Sequence, residues 1–226
     1  MNKLPLYGIV ILFVFASCSG RYPKIQEIRY RWVFIQETTS SPPVETLSIA
    51  IYVTDEDGLE DLEAVALVND RQELYWKVPK EQWEWKSFGG VKWLVCSALF
   101  PPSGKTFPRG TYRVIVRDMA GYRAEKDLSL LGKAREVQFP RLERKGSNLI
   151  LTPGSGSTLL VLTSPVGAIL GSFPLKAGEN PVQPILASPA VRTGAQYLYL
   201  YSQFSTVEGP IWVQGPYNAL EFLSPR

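Results

Sequence analysis

Gly110-Thr111-Tyr112-Arg113-Val114-Ile115-Val116-Arg117-Asp118-Met119-Ala120-Gly121-Tyr122 has the form of a strand, a tight turn and the start of a returning strand. Tyr112, Val114 and Val116 recur at every second position, the period of a half-buried strand. Asp118 to Gly121 then supplies turn chemistry, an aspartate that can bond its own backbone and a glycine free to adopt positive φ. Period-two alternation continues on the N-terminal side. Ile28, Tyr30, Trp32 and Phe34 alternate with Arg29, Arg31 and Val33, and Leu47, Ile49, Ile51 and Val53 with Ser48, Ala50 and Tyr52. Further strand-like runs are Ala64 to Asn69, Glu73 to Val78, Val91 to Phe100 and Tyr122 to Leu130. About seven short strands, separated by turns rich in Gly, Pro, Asp and Asn, predict a β-sandwich over residues 25–131.

A second stretch supports this reading. In Tyr52-Val53-Thr54-Asp55-Glu56-Asp57-Gly58-Leu59-Glu60-Asp61-Leu62 an apolar strand enters an acidic turn, where Gly58 can supply a positive φ. Together the two stretches resemble the bacterial immunoglobulin-like domains, including their PKD-type and fibronectin-III-like relatives. In those families a G-x-Y-x-V-x-V-x-D strand pairs through an Ala-Gly turn with the final strand. The resemblance covers about half the chain and implies that Tyr112 occupies the corner-tyrosine position. It implies a fold and is silent on function, because sandwich domains host many unrelated roles.

Residues 132–145 change character. Lys133, Arg135, Arg141, Arg144 and Lys145 make the segment basic and Pro140 interrupts it, the pattern of a solvated connector or a lead-in strand. From residue 146 to 226 charge nearly disappears, while apolar alternation resumes in Leu149 to Leu151, Thr158 to Thr163, Ala168 to Phe173 and Tyr197 to Phe204. Pro and Gly recur between these runs, which predicts a second, smaller β domain. The fold class expected is therefore all-β, an immunoglobulin-like sandwich followed by a smaller β domain. No pattern for a helix of ordinary length follows residue 18.

The first 17 residues are of another kind. Lys3 precedes an apolar run from Leu4 to Phe15, and Ala16-Ser17 places small residues directly before Cys18. That order is a secretory signal. The run is shorter than the ~20 residues of a bilayer-spanning helix and contains Pro5 and Gly8. Phe15-Ala16-Ser17-Cys18 resembles the lipobox of the bacterial lipoproteins, departing from it only at the first position, where leucine is usual. The resemblance implies cleavage before Cys18, a diacylglycerol on its sulfur, and residues 18–24 as a tether. Two or more acyl chains hold a protein stably at a membrane where one does not. The expected location is the bacterial cell envelope, at the outer membrane or the periplasmic face of a membrane.

Composition excludes several function classes. Removal of Lys3 with the signal takes the net charge from +3 to +2. Near-neutrality provides no clustered basic face for nucleic acid. Histidine is absent from the chain, so Ser-His-Asp and Cys-His nucleophilic systems and imidazole-based zinc sites are excluded. With Cys18 consumed by lipid, Cys96 has no intramolecular partner. Its place in the strand-like run Val91 to Cys96 points to an inert core thiol, the alternative being a redox or dimer-forming thiol.

Three clusters remain as candidates. Asp55, Asp57 and Asp61 in the acidic turn are the leading metal ligands, because calcium takes several oxygens and sandwich-end turns can supply them. The turn lacks the full EF-hand loop, and a solvated turn bonding its own backbone is the competing explanation. Trp76, Trp83 and Trp85 are candidate partner or glycan contacts. Exposed tryptophans give large contact area at low entropic cost, whereas buried ones build a core. Tyr199 lies in Tyr197-Leu198-Tyr199-Leu200-Tyr201, apolar on both faces, which is either covered on both sides or opens as an interface. Gly154-Ser155-Gly156-Ser157 lacks the lysine and the following helix of a phosphate loop.

No catalytic residues and no cofactor beyond the covalent lipid emerge from these patterns. The expectation is a lipid-anchored envelope protein with a non-catalytic binding or structural role toward another envelope protein or a glycan. Two other classes stand beside it: a carboxylate-dependent envelope hydrolase drawing on the acidic turn, and a calcium-stabilised adhesion module.

Overall fold

A computed structural model describes residues 22–56, 58–132, 138–203 and 209–224. The first eight strands are β1 (Lys24–Gln36), β2 (Val44–Thr54), β3 (Leu62–Asn69), β4 (Leu74–Pro79), β5 (Trp83–Phe88), β6 (Val91–Leu99), β7 (Gly110–Asp118) and β8 (Arg123–Leu130). They form two layers, β1-β2-β6-β5 and β4-β3-β7-β8. Lettered A to G, with β4 as C′, the layers are A-B-E-D and C′-C-F-G, the strand order of immunoglobulin-like sandwiches. Alternation dictates what lies between them. Leu47, Ile49, Ile51 and Val53 of β2 meet Val65 and Leu67 of β3 and Tyr112, Val114 and Val116 of β7 in one buried cluster.

Tyr112 is fully buried, and its hydroxyl donates to the Pro108 carbonyl at 2.8 Å. This is the corner-tyrosine bond expected from the sequence, made near the start of the F strand to backbone four residues upstream. The loop entering β7 is also pinned from the other layer. Glu45 of β2, 3% exposed, accepts two hydrogen bonds from the Arg109 guanidinium at 2.7 and 2.9 Å and one from the Phe107 amide at 3.1 Å. The guanidinium lies 4.0 Å above the Trp32 ring, and Phe107 is stacked against Trp76 at 4.9 Å. A buried carboxylate is tolerated only when paired in this way.

The second unit contains β9 (Arg141–Lys145), β10 (Asn148–Thr152), β11 (Ser157–Thr163), β12 (Ile169–Leu175), β13 (Gly178–Pro181), β14 (Tyr197–Gln203) and β15 (Ile211–Asn218). Three helices of one or two turns accompany them: α1 (Gln183–Leu186), α2 (Pro189–Gly194) and α3 (Ala219–Leu223). Strand β9 arises from the end of the segment read as a basic connector. Its Leu142 packs against the second apolar cluster, which alternation around Arg141, Glu143 and Lys145 permits. That cluster joins Leu149, Leu160, Leu162, Leu198 and Leu200 from the strands to Val182, Ile185, Val191 and Leu223 from the helical segments.

One feature has no counterpart in local periodicity. Strand β15 pairs in parallel with β1, Val33 to Gln36 opposite Ile211 to Gln214. The outer layer of the sandwich and the larger layer of the second unit thereby become one eight-stranded sheet, β12-β11-β14-β15-β1-β2-β6-β5. The smaller sheets β4-β3-β7-β8 and β13-β10-β9 belong to the two separate apolar clusters on either side of this seam.

Replacing Tyr112 by Phe removes one buried donor and leaves the Pro108 carbonyl without it. The expected loss is about 1–2 kcal/mol of unfolding free energy in urea denaturation, with the m-value unchanged.

Candidate functional site

Of the tryptophan candidates, Trp83 is 7% exposed and belongs to the first core. It and Trp85 share the inward face of β5, because Trp83 stands opposite Cys96 and Trp85 opposite Leu94. Trp85 is half-buried with the Lys92 ammonium 4.8 Å above its ring. Trp76 is also half-buried, and its indole Nε1 donates to the Phe100 carbonyl at 2.7 Å. All three rings are committed to packing, and Trp83 leaves almost no surface for a partner. Cys96 is fully buried in the same core, and burial pushes its thiol up to about 12.

The strand containing Tyr199 divides its faces cleanly. Leu198 and Leu200 enter the second core, while Tyr199 and Tyr201 stand on the opposite face with ring centroids 6.5 Å apart. Leu159 and Val213 flank Tyr201 in register, and Ile35 follows across the seam. Tyr201 is 38% and Leu159 37% exposed, so this face of the shared sheet presents aromatic and aliphatic surface to solvent. The partial burial of Tyr201, with Tyr199 beside it, raises its hydroxyl above the usual tyrosine range.

The acidic turn converges with the turn that follows β7. Asp55 leaves β2, Asp61 ends the 3-10 turn Leu59–Asp61, and Asp118 closes β7. A carboxylate oxygen of each lies within 4.8 Å of the other two. Asp57 lies outside the described residues. Gly58 has φ of 111°, the left-handed geometry that the acidic turn requires. Asp118 is 2% exposed and braces its turn: its Oδ1 accepts from the Tyr122 amide at 2.8 Å. The Met119 amide donates to the Asp61 carbonyl at 2.9 Å and holds the two turns together.

Sequence reading thus found two of the three acids and missed Asp118. The signal was present, since Asp118 continues the inward parity of Tyr112, Val114 and Val116. Calcium takes six to eight oxygens, and Asp55, Asp61 and Asp118 are gathered closely enough that they could supply three of them.

A fourth region was not anticipated. Gln36 and Gln214 face each other across the seam beneath a cleft of about 540 Å³. Both occupy core-facing positions, two residues beyond Phe34 and Trp212, whose rings stack at 6.1 Å. Polar residues continuing an apolar parity were the available clue.

No family model matches the chain, and no curated protein matches it. Among solved structures, the chain is similar to Tp47, the 47-kilodalton lipoprotein of Treponema pallidum, with a TM-score of 0.38 and 12% identity. The alignment covers 85% of this chain and 50% of that one, so the chain spans half the length of this neighbour. Among the described residues, no helix is long and apolar enough to cross a membrane.

Two outcomes follow from these sites. Thiol reagents at neutral pH are expected to leave Cys96 unmodified in the native protein and to label it on denaturation, because so high a pKa leaves almost no thiolate. In thermal melts, calcium compared with chelator is expected to raise the wild-type midpoint and to raise that of Asp61→Asn by less. An unmoved wild-type midpoint would assign the cluster to turn architecture alone.

Proposed function

We propose that the protein is a lipid-anchored component of the bacterial envelope with a non-catalytic binding role, presenting its β-sandwich units to a protein or glycan partner. The observation that carries this reading is the open face of the shared sheet around Tyr199 and Tyr201. Tyrosines give large contact area for little entropic cost, and charge-poor aromatic surface of this kind is enriched in interface cores. The export signal ending at Cys18 supplies the address. Lys24 follows Cys18 by only six positions, a reach of at most about 20 Å, and Lys24 opens the strand that runs to the seam. In this reading both units are held close to the membrane through β1.

The chemistry of the acids supports binding over hydrolysis. Glycosidases place two carboxyl groups across a cleft, about 5–5.5 Å or 6.5–9.5 Å apart with the sugar between them. Asp55, Asp61 and Asp118 are instead gathered into one cluster where two turns meet. That arrangement favours, as a second reading, a module stiffened by calcium at this end of the sandwich.

Metabolic labelling with palmitate is expected to mark the wild type and not Cys18→Ala, whose precursor should accumulate uncleaved. A photo-crosslinking residue at position 199 is expected to capture an envelope component in intact cells, whereas the same residue at position 83 captures none. Equal capture at both positions would remove the tyrosine face from consideration.

A further inference from the structure

Strands β12, β11, β14 and β15 are neighbours in the shared sheet, and none of them contains a charged residue. On the open face, Pro174, Leu159, Tyr201, Val213, Ile35 and Val44 oppose one another in register from β12 to β2. They form one unbroken apolar row across six strands, and the Tyr199 ring lies beside it. Pro174, Leu159 and Tyr201 are exposed and the other three are half-buried.

The size of this face follows from sheet dimensions. Four strands at about 4.8 Å spacing and seven residues at about 3.4 Å, with the paired ends of β1 and β2 beside them, make roughly 600 Å². Contiguous apolar surface beyond a few hundred Å² is uncommon on a monomer and marks an interaction site. Two such faces together bury about 1,200 Å², the lower bound of specific protein interfaces.

We propose that this face pairs with the same face of a second copy of the chain, sheet against sheet about a two-fold axis. A two-fold contact sets one patch against itself, so any charge on it would meet its own image. A charge-free face is what such a contact requires. Twisted sheets also pack face to face with their strands nearly aligned, and a second copy offers a sheet of the same twist. A bilayer is disfavoured by the charges on the remainder of the open face. Arg29 is paired with Glu27 at 2.6 Å and Lys86 with Glu84, which leaves no basic cluster there, among the described residues, for anionic headgroups. A glycan is disfavoured because Tyr201 has the only polar side-chain group in the row, whereas ligand sites fix orientation with several.

The anchor fits the same arrangement. A two-fold axis along the strands points both copies of β1 the same way, so both Lys24 ends lie on one side, each within about 20 Å of its Cys18. Tethering to one membrane raises the effective concentration of the copies, which an interface of this modest area needs. The inference thus rests on the envelope reading for the anchor and names the partner of the tyrosine face.

The test uses two full-length copies with different epitope tags, expressed together in intact cells, one with a photo-crosslinking residue at position 199. The expected product has twice the mass of the chain and carries both tags. Tyr201→Glu in both copies is expected to lower its yield about tenfold, by setting carboxylates against each other across the interface. Leu159→Gln, a milder change in the same row, is expected to lower it too and carries the test if the charged variant does not fold. Tyr75→Glu, exposed on the other layer of the sandwich, is expected to leave the yield unchanged. Absence of the doubly tagged product, or a yield that neither row substitution lowers, overturns the proposal. Capture of a different protein in its place overturns it as well and leaves the binding reading standing. Loss of palmitate labelling with the doubly tagged product still formed would remove the anchor and leave the pairing standing.

Discussion

Four residue pairs, Val33 to Gln36 against Ile211 to Gln214, join the first strand among the described residues to the last. Parallel strands cannot be joined by a tight turn, and here the connection is nearly the whole chain between them. Closing so long a loop is entropically demanding, although the cost grows only slowly with length. The apolar clusters on either side repay it. Each unit buries its own cluster, and the seam sets their relation by making one layer continuous. The open tyrosine face and the amide-floored cleft are both consequences. The first lies on one side of the continuous sheet, and the second lies on the other side where the two smaller sheets part.

Between the apolar clusters runs a band of buried polar contacts. Glu45 and Arg109, Gln36 and Gln214, and the hydroxyls of Thr158 and Ser202 at 3.0 Å all lie in or beside it. Each of these pairs favours one register, because a slip of one residue would leave its groups without partners. Apolar packing alone would tolerate more alternatives. Glu45 is the most demanding member. Its carboxylate is held by a guanidinium and a backbone amide together, and the loop carrying Arg109 also places Phe107 against both Trp76 and Tyr112. One ion pair therefore ties the second layer of the sandwich to the shared sheet.

Local pattern made much of the first sandwich legible. Leu47 to Val53 and Tyr112 to Val116 alternate because a strand between core and solvent must. Tyr112 was placed at the corner by its motif, and its hydroxyl bond follows from the loop geometry that the motif implies. The candidate sites were less legible, and for different reasons. Trp83 and Trp85 could not be assigned to core or surface from their own spacing, since β5 alternates either way and only its pairing with β6 turns both rings inward. Tyr199 had the same ambiguity, and among the described residues the 38% exposure of its same-face neighbour Tyr201 marks that side as outward. Asp118 is far in sequence from Asp55 and Asp61, and the three meet only because β7 pairs with β3 in a register that opposes Asp118 to Leu62.

Period, turn chemistry and composition by themselves determined an all-β chain and its first sandwich. These are local properties, written in residues that are neighbours along the chain. Tertiary structure alone decided that β1 and β15 share a sheet, that three acids converge, and that Gln36 and Gln214 form the floor of a cleft. Each of these depends on hydrogen bonds between strands far apart in sequence, and a strand's own alternation says which side is buried without saying against what.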